Sequence, residues 1–157
     1  MQRITPCLWF DGQAEEAAHL YVSVFPNSRI LGLNHYGEGM PLPAGTVLTV
    51  NFELDGQAFL ALNGTPDFPF SPAISLVVNC ASQDEVDHYW QKLSADRARE
   101  QCGWLQDKYG VSWQIVPVAL QQMLSESDPA RSQRVLTTLM AMKKIDIAGL
   151  QKVFSRT

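Results

Sequence analysis

Residues 4–25, ITPCLWFDGQAEEAAHLYVSVF, and residues 73–94, AISLVVNCASQDEVDHYWQKLS, follow one pattern. Each is a short apolar run, a polar break and then apolar residues at helical spacing. Overlaid without a gap, Leu8 meets Val77, Glu16 meets Glu85, His19 meets His88 and Tyr21 meets Trp90. A strand–helix unit written twice within 157 residues requires a fold with internal pseudo-symmetry.

The rest of the chain extends each copy. The first predicts a strand over 4–10, a helix over 13–25 ended by Pro26-Asn27, and a strand over 29–36. After a Gly/Pro-rich loop, residues 46–54 alternate, with Leu48, Val50, Phe52 and Leu54 on one face and Thr49, Asn51 and Glu53 on the other. Asp55-Gly56 is a hairpin signal, and 57–62 is the partner strand. Residues 65–72 read as a linker, with Phe68 and Phe70 packing it down. The second copy predicts a strand over 74–80, a Ser82/Glu85 capping box, a helix ending near Leu93, and strands over 103–106 and 111–116. It is shorter than the first, so a strand is trimmed or hidden around 97–100. Residues 118–157 form a helical tail, with Asp128-Pro129 and Asp146 starting helices. The expected fold is therefore α+β, with modules over 1–64 and 73–117 and C-terminal helices over 118–157.

Composition excludes several classes. A net charge of −4 argues against nucleic acid, since phosphate contact needs a basic face and Lys143-Lys144 is the one basic doublet. No apolar run reaches the length of a membrane span, and residues 1–12 lack the order of a secretory signal. Cys7, Cys80 and Cys102 are odd in number and show no CxxC spacing, which fits a reducing cytoplasm.

PCLWFDGQAEEAAHLYVSVFPNS (6–28), FELDGQAFLALNG (52–64), CASQDEVDHYWQKL (80–93), CGWLQDKYGVSWQIVP (102–117) and VLTTLMAMKKIDIAGL (135–150) together resemble one protein family. It is the PhnB-like branch, often labelled 3-demethylubiquinone methyltransferases, of the vicinal-oxygen-chelate superfamily that includes glyoxalase I and the bleomycin- and fosfomycin-resistance proteins. The resemblance implies two βαβββ modules whose curved sheets surround a central cleft, and a homodimer. The methyltransferase label finds no support in the residues, because no strand leads into a Gly-rich turn with an acidic ribose-binding residue.

In metal-using members of that superfamily, each module gives a His or Gln from its first strand and a Glu from its last. Here neither ITPCLWF nor AISLVVN contains a His. Gln114 stands four residues after Gly110, where the glutamate is expected, and Leu60 stands at the matching place after Gly56. The resemblance thus implies a lost metal site, with Ile4 or its neighbours, Leu60, Ala73 and Gln114 in its positions, and no cofactor. His19 and His88, each three residues after a glutamate, read as helix surface. His35 with Glu53 or Asn51 is the alternative, a displaced site. The cysteines read as small buried hydrophobes, since no His accompanies Cys102, and no GxSxG, P-loop or HExxH is present.

What remains is a polar and aromatic lining. If Trp113 and Ile115 pack on the helices, Ser112 and Gln114 face the ligand. Thr49 and Asn51 join them by the same alternation, and Trp9 and Trp104 are large enough to stack a planar group. Glu53 is the one acid placed to act as a general base. The leading expectation is a binding protein for a small, partly apolar molecule. The alternatives are a lyase, isomerase or transferase that uses Glu53 or a relocated metal, and a structural module working through its tail.

Overall fold

The computed structural model describes residues 2–126 and 128–156. The chain forms two compact units, one reaching to Phe70 and one beginning at Ser71.

The first unit runs β1 (Cys7–Phe10), α1 (Ala14–Val24), β2 (Arg29–His35), β3 (Val47–Leu54) and β4 (Gln57–Asn63), with its sheet ordered β1-β4-β3-β2. β1 and β4 are parallel and the remaining pairs antiparallel. Ala14, Ala17, Ala18, Tyr21 and Val24 recur at helical spacing, and this one apolar stripe is the buried face of α1. Tyr21 packs over Phe52 at 6.4 Å, and Phe52 stacks on Phe59 at 5.5 Å. Val50, Phe52 and Leu54 are buried beneath the helix, so Thr49, Asn51 and Glu53 fall on the opposite face. Asp55 and Gly56 both have positive φ, 47° and 78°, as a two-residue type I′ hairpin turn requires.

Buried Asn63 ties these elements together. Gln13, at the N-cap of α1, provides no side-chain cap. Instead Asn63 Oδ1 accepts from the Ala14 N–H at 2.8 Å, while its Nδ2 donates to the Val47 carbonyl at 3.0 Å. Its own carbonyl accepts from the Tyr36 hydroxyl at 2.6 Å.

The second unit runs β5 (Ser75–Cys80), α2 (Gln83–Leu93), β6 (Trp104–Gln106) and β7 (Ser112–Pro117), then α3 (Val118–Glu126), α4 (Pro129–Met140) and α5 (Ile147–Phe154). Its sheet is ordered β5-β7-β6, again with a parallel first–last pair. The capping box at α2 forms: Ser82 Oγ accepts from Glu85 N at 3.2 Å, and Glu85 Oε2 reaches back to Ala81 N at 2.7 Å. Asp107 organises the β6–β7 turn. Its Oδ1 accepts from the Tyr109 and Val111 N–H groups, and its Oδ2 from the Trp113 indole at 2.9 Å. That holds Trp113 in the core beside Ile115 and turns Gln114 to the other face.

The counterpart of β2 is trimmed in this unit. Arg97–Arg99 is a single 3₁₀ turn, and Gln101 makes one isolated bridge to Trp104. Cys102 and Gly103, at φ 39° and 88°, turn the chain between them, and the tail closes over this point. The Cys102 and Gly103 N–H groups donate to the carbonyls of Met142 and Lys143 at 2.7 and 2.8 Å. Ile145 Cδ1 packs close over Gly103, whose φ L side chains rarely adopt, so this turn depends on glycine. Ile145, Leu120, Met123, Val135 and Leu150 form the core of the tail. The Gln83 amide clamps the tail to α2, donating to the Ile145 carbonyl at 3.0 Å and accepting from Ile147 N at 2.8 Å. Lys144 pairs with Asp87 at 2.8 Å, and that hydrogen bond, with one from Gln83, holds the Asp87 carboxyl below its ordinary pKa. The tail helices thus belong to the second compact unit.

The ungapped overlay of the two copies needs one correction. Cys7 lies beside Leu60 and Val77 beside Gln114, so Cys7, not Leu8, is the counterpart of Val77. The extra residue sits in the Asp11-Gly12-Gln13 connection, where the second copy has Ala81-Ser82. Periodicity within each element is blind to an insertion between them. Among the described residues, no helix is long and apolar enough to cross a membrane.

Asn63→Ala leaves the Ala14 donor and the Val47 acceptor without their partner, at an expected cost of about 2–3 kcal/mol in chemical denaturation. Ser82→Ala, at an exposed cap, should cost about 1 kcal/mol. Equal losses would show that Asn63 is no more than an ordinary cap.

Candidate functional site

Cross-strand neighbours share a face, so the ladders list what each sheet presents away from its helix. In the first unit one row is Trp9, Leu62, Thr49 and Asn34, and the next is Cys7, Leu60, Asn51 and Gly32. The third row is Ala58, Glu53 and Arg29. A bulge between Ile30 and Gly32 pushes Leu31 out of register, leaving it 49 % exposed. Gln2, Thr5, Leu31, Asn51, Glu53 and Ala58 line a hollow of about 540 Å³ at the hairpin end of this face.

The polar groups here are sparingly paired. Asn34 Nδ2 donates to Thr49 Oγ1 at 3.0 Å. Glu53 Oε2 accepts from Arg29 Nε at 3.2 Å, with side chains 27 % and 71 % exposed respectively. Asn51 is exposed and its amide has no hydrogen-bond partner among the described residues.

Trp9 is committed to the linker. Its indole N–H donates to the Thr65 carbonyl at 2.8 Å, and Phe68 packs edge-on against it at 5.1 Å. Gly64 lies beneath the ring, where an added Cβ would sit 2.0 Å from the indole. Phe70 packs on Phe10 at 5.2 Å, so both linker phenylalanines hold the linker to the first unit.

In the second unit, Ser75, Ser112 and Gln106 form one row and Val77, Gln114 and Trp104 the next. Gln114 Nε2 donates to Ser75 Oγ at 2.9 Å. Ser112 is buried, Gln114 and Trp104 are half-buried, and Val77 is 51 % exposed.

The structure therefore brings Thr49, Asn51 and Glu53 together on one sheet, with Trp9 at the far end, and Ser112, Gln114 and Trp104 together on the other. Sequence reasoning missed Arg29, Leu31, Gln2, Thr5 and Ala58. Their convergence depends on a bulge and on a pre-strand segment, neither of which leaves a periodic signal.

The histidines stay apart. His19 and His88 are exposed on their helices. His35 pairs with Val47, six residues along β3 from Glu53 and so about 20 Å from it. Among the described residues, no three His, Cys, Asp or Glu side chains converge. All three cysteines are free. Cys80 is buried, and that burial, reinforced by Glu85, pushes its thiol up to about 12. Cys7 is exposed, contrary to the buried role expected of it, and partial desolvation raises its thiol as well. Neither is a ready thiolate at neutral pH.

Two modules, each with a parallel first–last strand pair and a helix between them, are what the resemblance to the vicinal-oxygen-chelate superfamily implies. The sequence profile described as 3-demethylubiquinone-9 3-methyltransferase matches residues 2–116, and the chain belongs to that family, the PhnB-like branch. The PhnB protein of Bacillus cereus, a solved structure under the same description, is 38 % identical, with a TM-score of 0.64 over 74 % of this chain and 99 % of that one. A structure from Pseudomonas aeruginosa is 20 % identical, with a TM-score of 0.57 over 74 % and 98 %. A comparison with curated proteins gives no match.

The superfamily implies a chelated metal, and the residues do not fit one. Ile4 and Ala73 lie outside the strands, and the first-strand residues beside Leu60 and Gln114 are Cys7 and Val77. The last-strand positions are Leu60 and Gln114. Of the four, Gln114 alone carries an N/O ligand atom, the oxygen of a neutral amide, where chelation needs several.

Gly64→Ala would drive a methyl into the Trp9 ring. The indole should leave Thr65, with a change in tryptophan emission and a stability loss of about 1–3 kcal/mol. Unchanged emission would show that the Trp9 contact is not fixed.

Proposed function

We propose that this protein binds a small, partly apolar molecule against the open face of its first sheet and does so without a resident metal. The residues beside one another on the first and last strands carry this reading: one thiol, two aliphatic side chains and one neutral amide. The hollow beside Asn51 and Glu53 supports it, since a concave, mostly apolar surface with a few polar groups suits a small organic ligand.

The family's descriptive label is not part of this reading. In doubly wound folds a nucleotide cofactor is held at a Gly-rich turn between strand and helix. Here β1 reaches α1 through Asp11-Gly12-Gln13, and β5 reaches α2 through Ala81-Ser82. Neither connection is Gly-rich, which speaks against that mode of cofactor binding.

Glu53 is better suited to holding a ligand than to taking its proton. Arg29 occupies one carboxylate oxygen, and water reaches the pair. Turnover of a substrate by the wild type and not by Glu53→Gln would reverse that assignment. Three unpaired cysteines support a reducing, cytoplasmic setting as part of the same proposal.

Elemental mass spectrometry on protein purified without chelator tests the metal-free reading. Well under one metal per chain is expected, with no gain on incubation with zinc, nickel or manganese. A stoichiometric metal lost in Gln114→Ala would overturn it.

A further inference from the structure

We infer that the molecule held in the first-unit hollow carries a primary ammonium group on a short apolar body. This deepens the ligand-binding reading above and rests on it. Glu53 is the charged group among the lining residues; the others are Gln2, Thr5, Leu31, Asn51, Phe52, Gly56, Ala58 and Phe59. Arg29 pairs with Oε2 from outside the lining, so the group a ligand meets within the hollow is the carboxylate's Oε1, against which an anion would be set. A neutral one would cover that oxygen without supplying it a charge-assisted partner.

The pairing of Glu53 narrows the cation further. Oε2 is taken by Arg29, while Oε1 has no partner among the described residues. A guanidinium recognises a carboxylate through both oxygens at once, so a second one is poorly served. An ammonium needs one oxygen per hydrogen bond and has donors to spare. Asn51 lies two residues along the same face, about 7 Å away, and its free amide oxygen can take another. Leu31, forced outward by its bulge, and Ala58 supply the apolar contact. Arg29 is no barrier to entry, since its side chain is 71 % exposed and an ion pair in water is weak.

NMR titration of the full chain with hexylamine, 1-hexanol and hexanoate tests this, read at the Asn51 side-chain amide and the Leu31 and Ala58 methyls. Hexylamine should saturate these signals and bind about tenfold more tightly than hexanol, the ratio expected of one charge-assisted hydrogen bond. Hexanoate should leave them unmoved. Glu53→Gln should bring hexylamine down to the level of hexanol. Arg29→Met, at an exposed site, should strengthen hexylamine by freeing Oε2, and this holds the test open if the first variant fails to fold. Equal binding of hexylamine and hexanol, or tighter binding of hexanoate, would overturn the ammonium assignment and leave the hollow as a binding site. No response to any of the three would overturn the binding site as well.

Discussion

Asn63 is the constraint on which the first unit depends. A helix that starts without a local cap must find an acceptor for its first N–H groups, and here a strand residue far along the chain provides it. The same side chain holds the start of β3, and its carbonyl takes the hydroxyl of Tyr36, which follows β2. Helix and sheet are thereby locked in one register, and the alternation of β3 points Asn51 and Glu53 away from the core. The second unit meets the same need differently. Its helix carries a local capping box, and the residue at the place of Asn63 is Pro117, beside Cys80 as Asn63 is beside Phe10. Freed from capping, that position ends β7 and leads directly into α3.

The two copies have diverged in what they do with an edge. The first keeps β2, whose bulge spoils it for pairing with another strand while bringing Leu31 over the hollow. The second has lost the equivalent strand, and carbonyls of Met142 and Lys143 satisfy the exposed turn in its place. Such a replacement makes sense of a tail beyond residues 2–116, where the family profile ends. The tail gives a three-stranded sheet the apolar cover and hydrogen-bond acceptors that a fourth strand supplies elsewhere.

Most of the architecture was legible because it rests on local rules. Alternation over β3, the Asp55-Gly56 turn, the Ser82/Glu85 box and the Asp128 and Asp146 caps all act within a few residues, and all are present. The make-up of the candidate site was legible only in part. Thr49, Asn51 and Glu53 follow from periodicity, as do Ser112 and Gln114 once Trp113 is known to be core. Trp9 looks the same in sequence whether it stacks a ligand or seals a linker, and the close approach of Gly64 decides for the linker. Arg29 and Leu31 escaped notice because a bulge changes which face a residue takes without changing its spacing.

The amino-acid order alone determined the duplicated α+β modules, the side of each strand that meets a helix, and the absence of imidazole from both first strands. These depend on side-chain period and residue identity, which are written residue by residue. Tertiary structure decided that Cys7 rather than Leu8 answers to Val77, that Arg29 takes one oxygen of Glu53, and that the tail closes the second sheet. Each of these is a pairing between distant segments, set by strand register and packing, and no local pattern encodes the register of two strands that meet only in the folded chain.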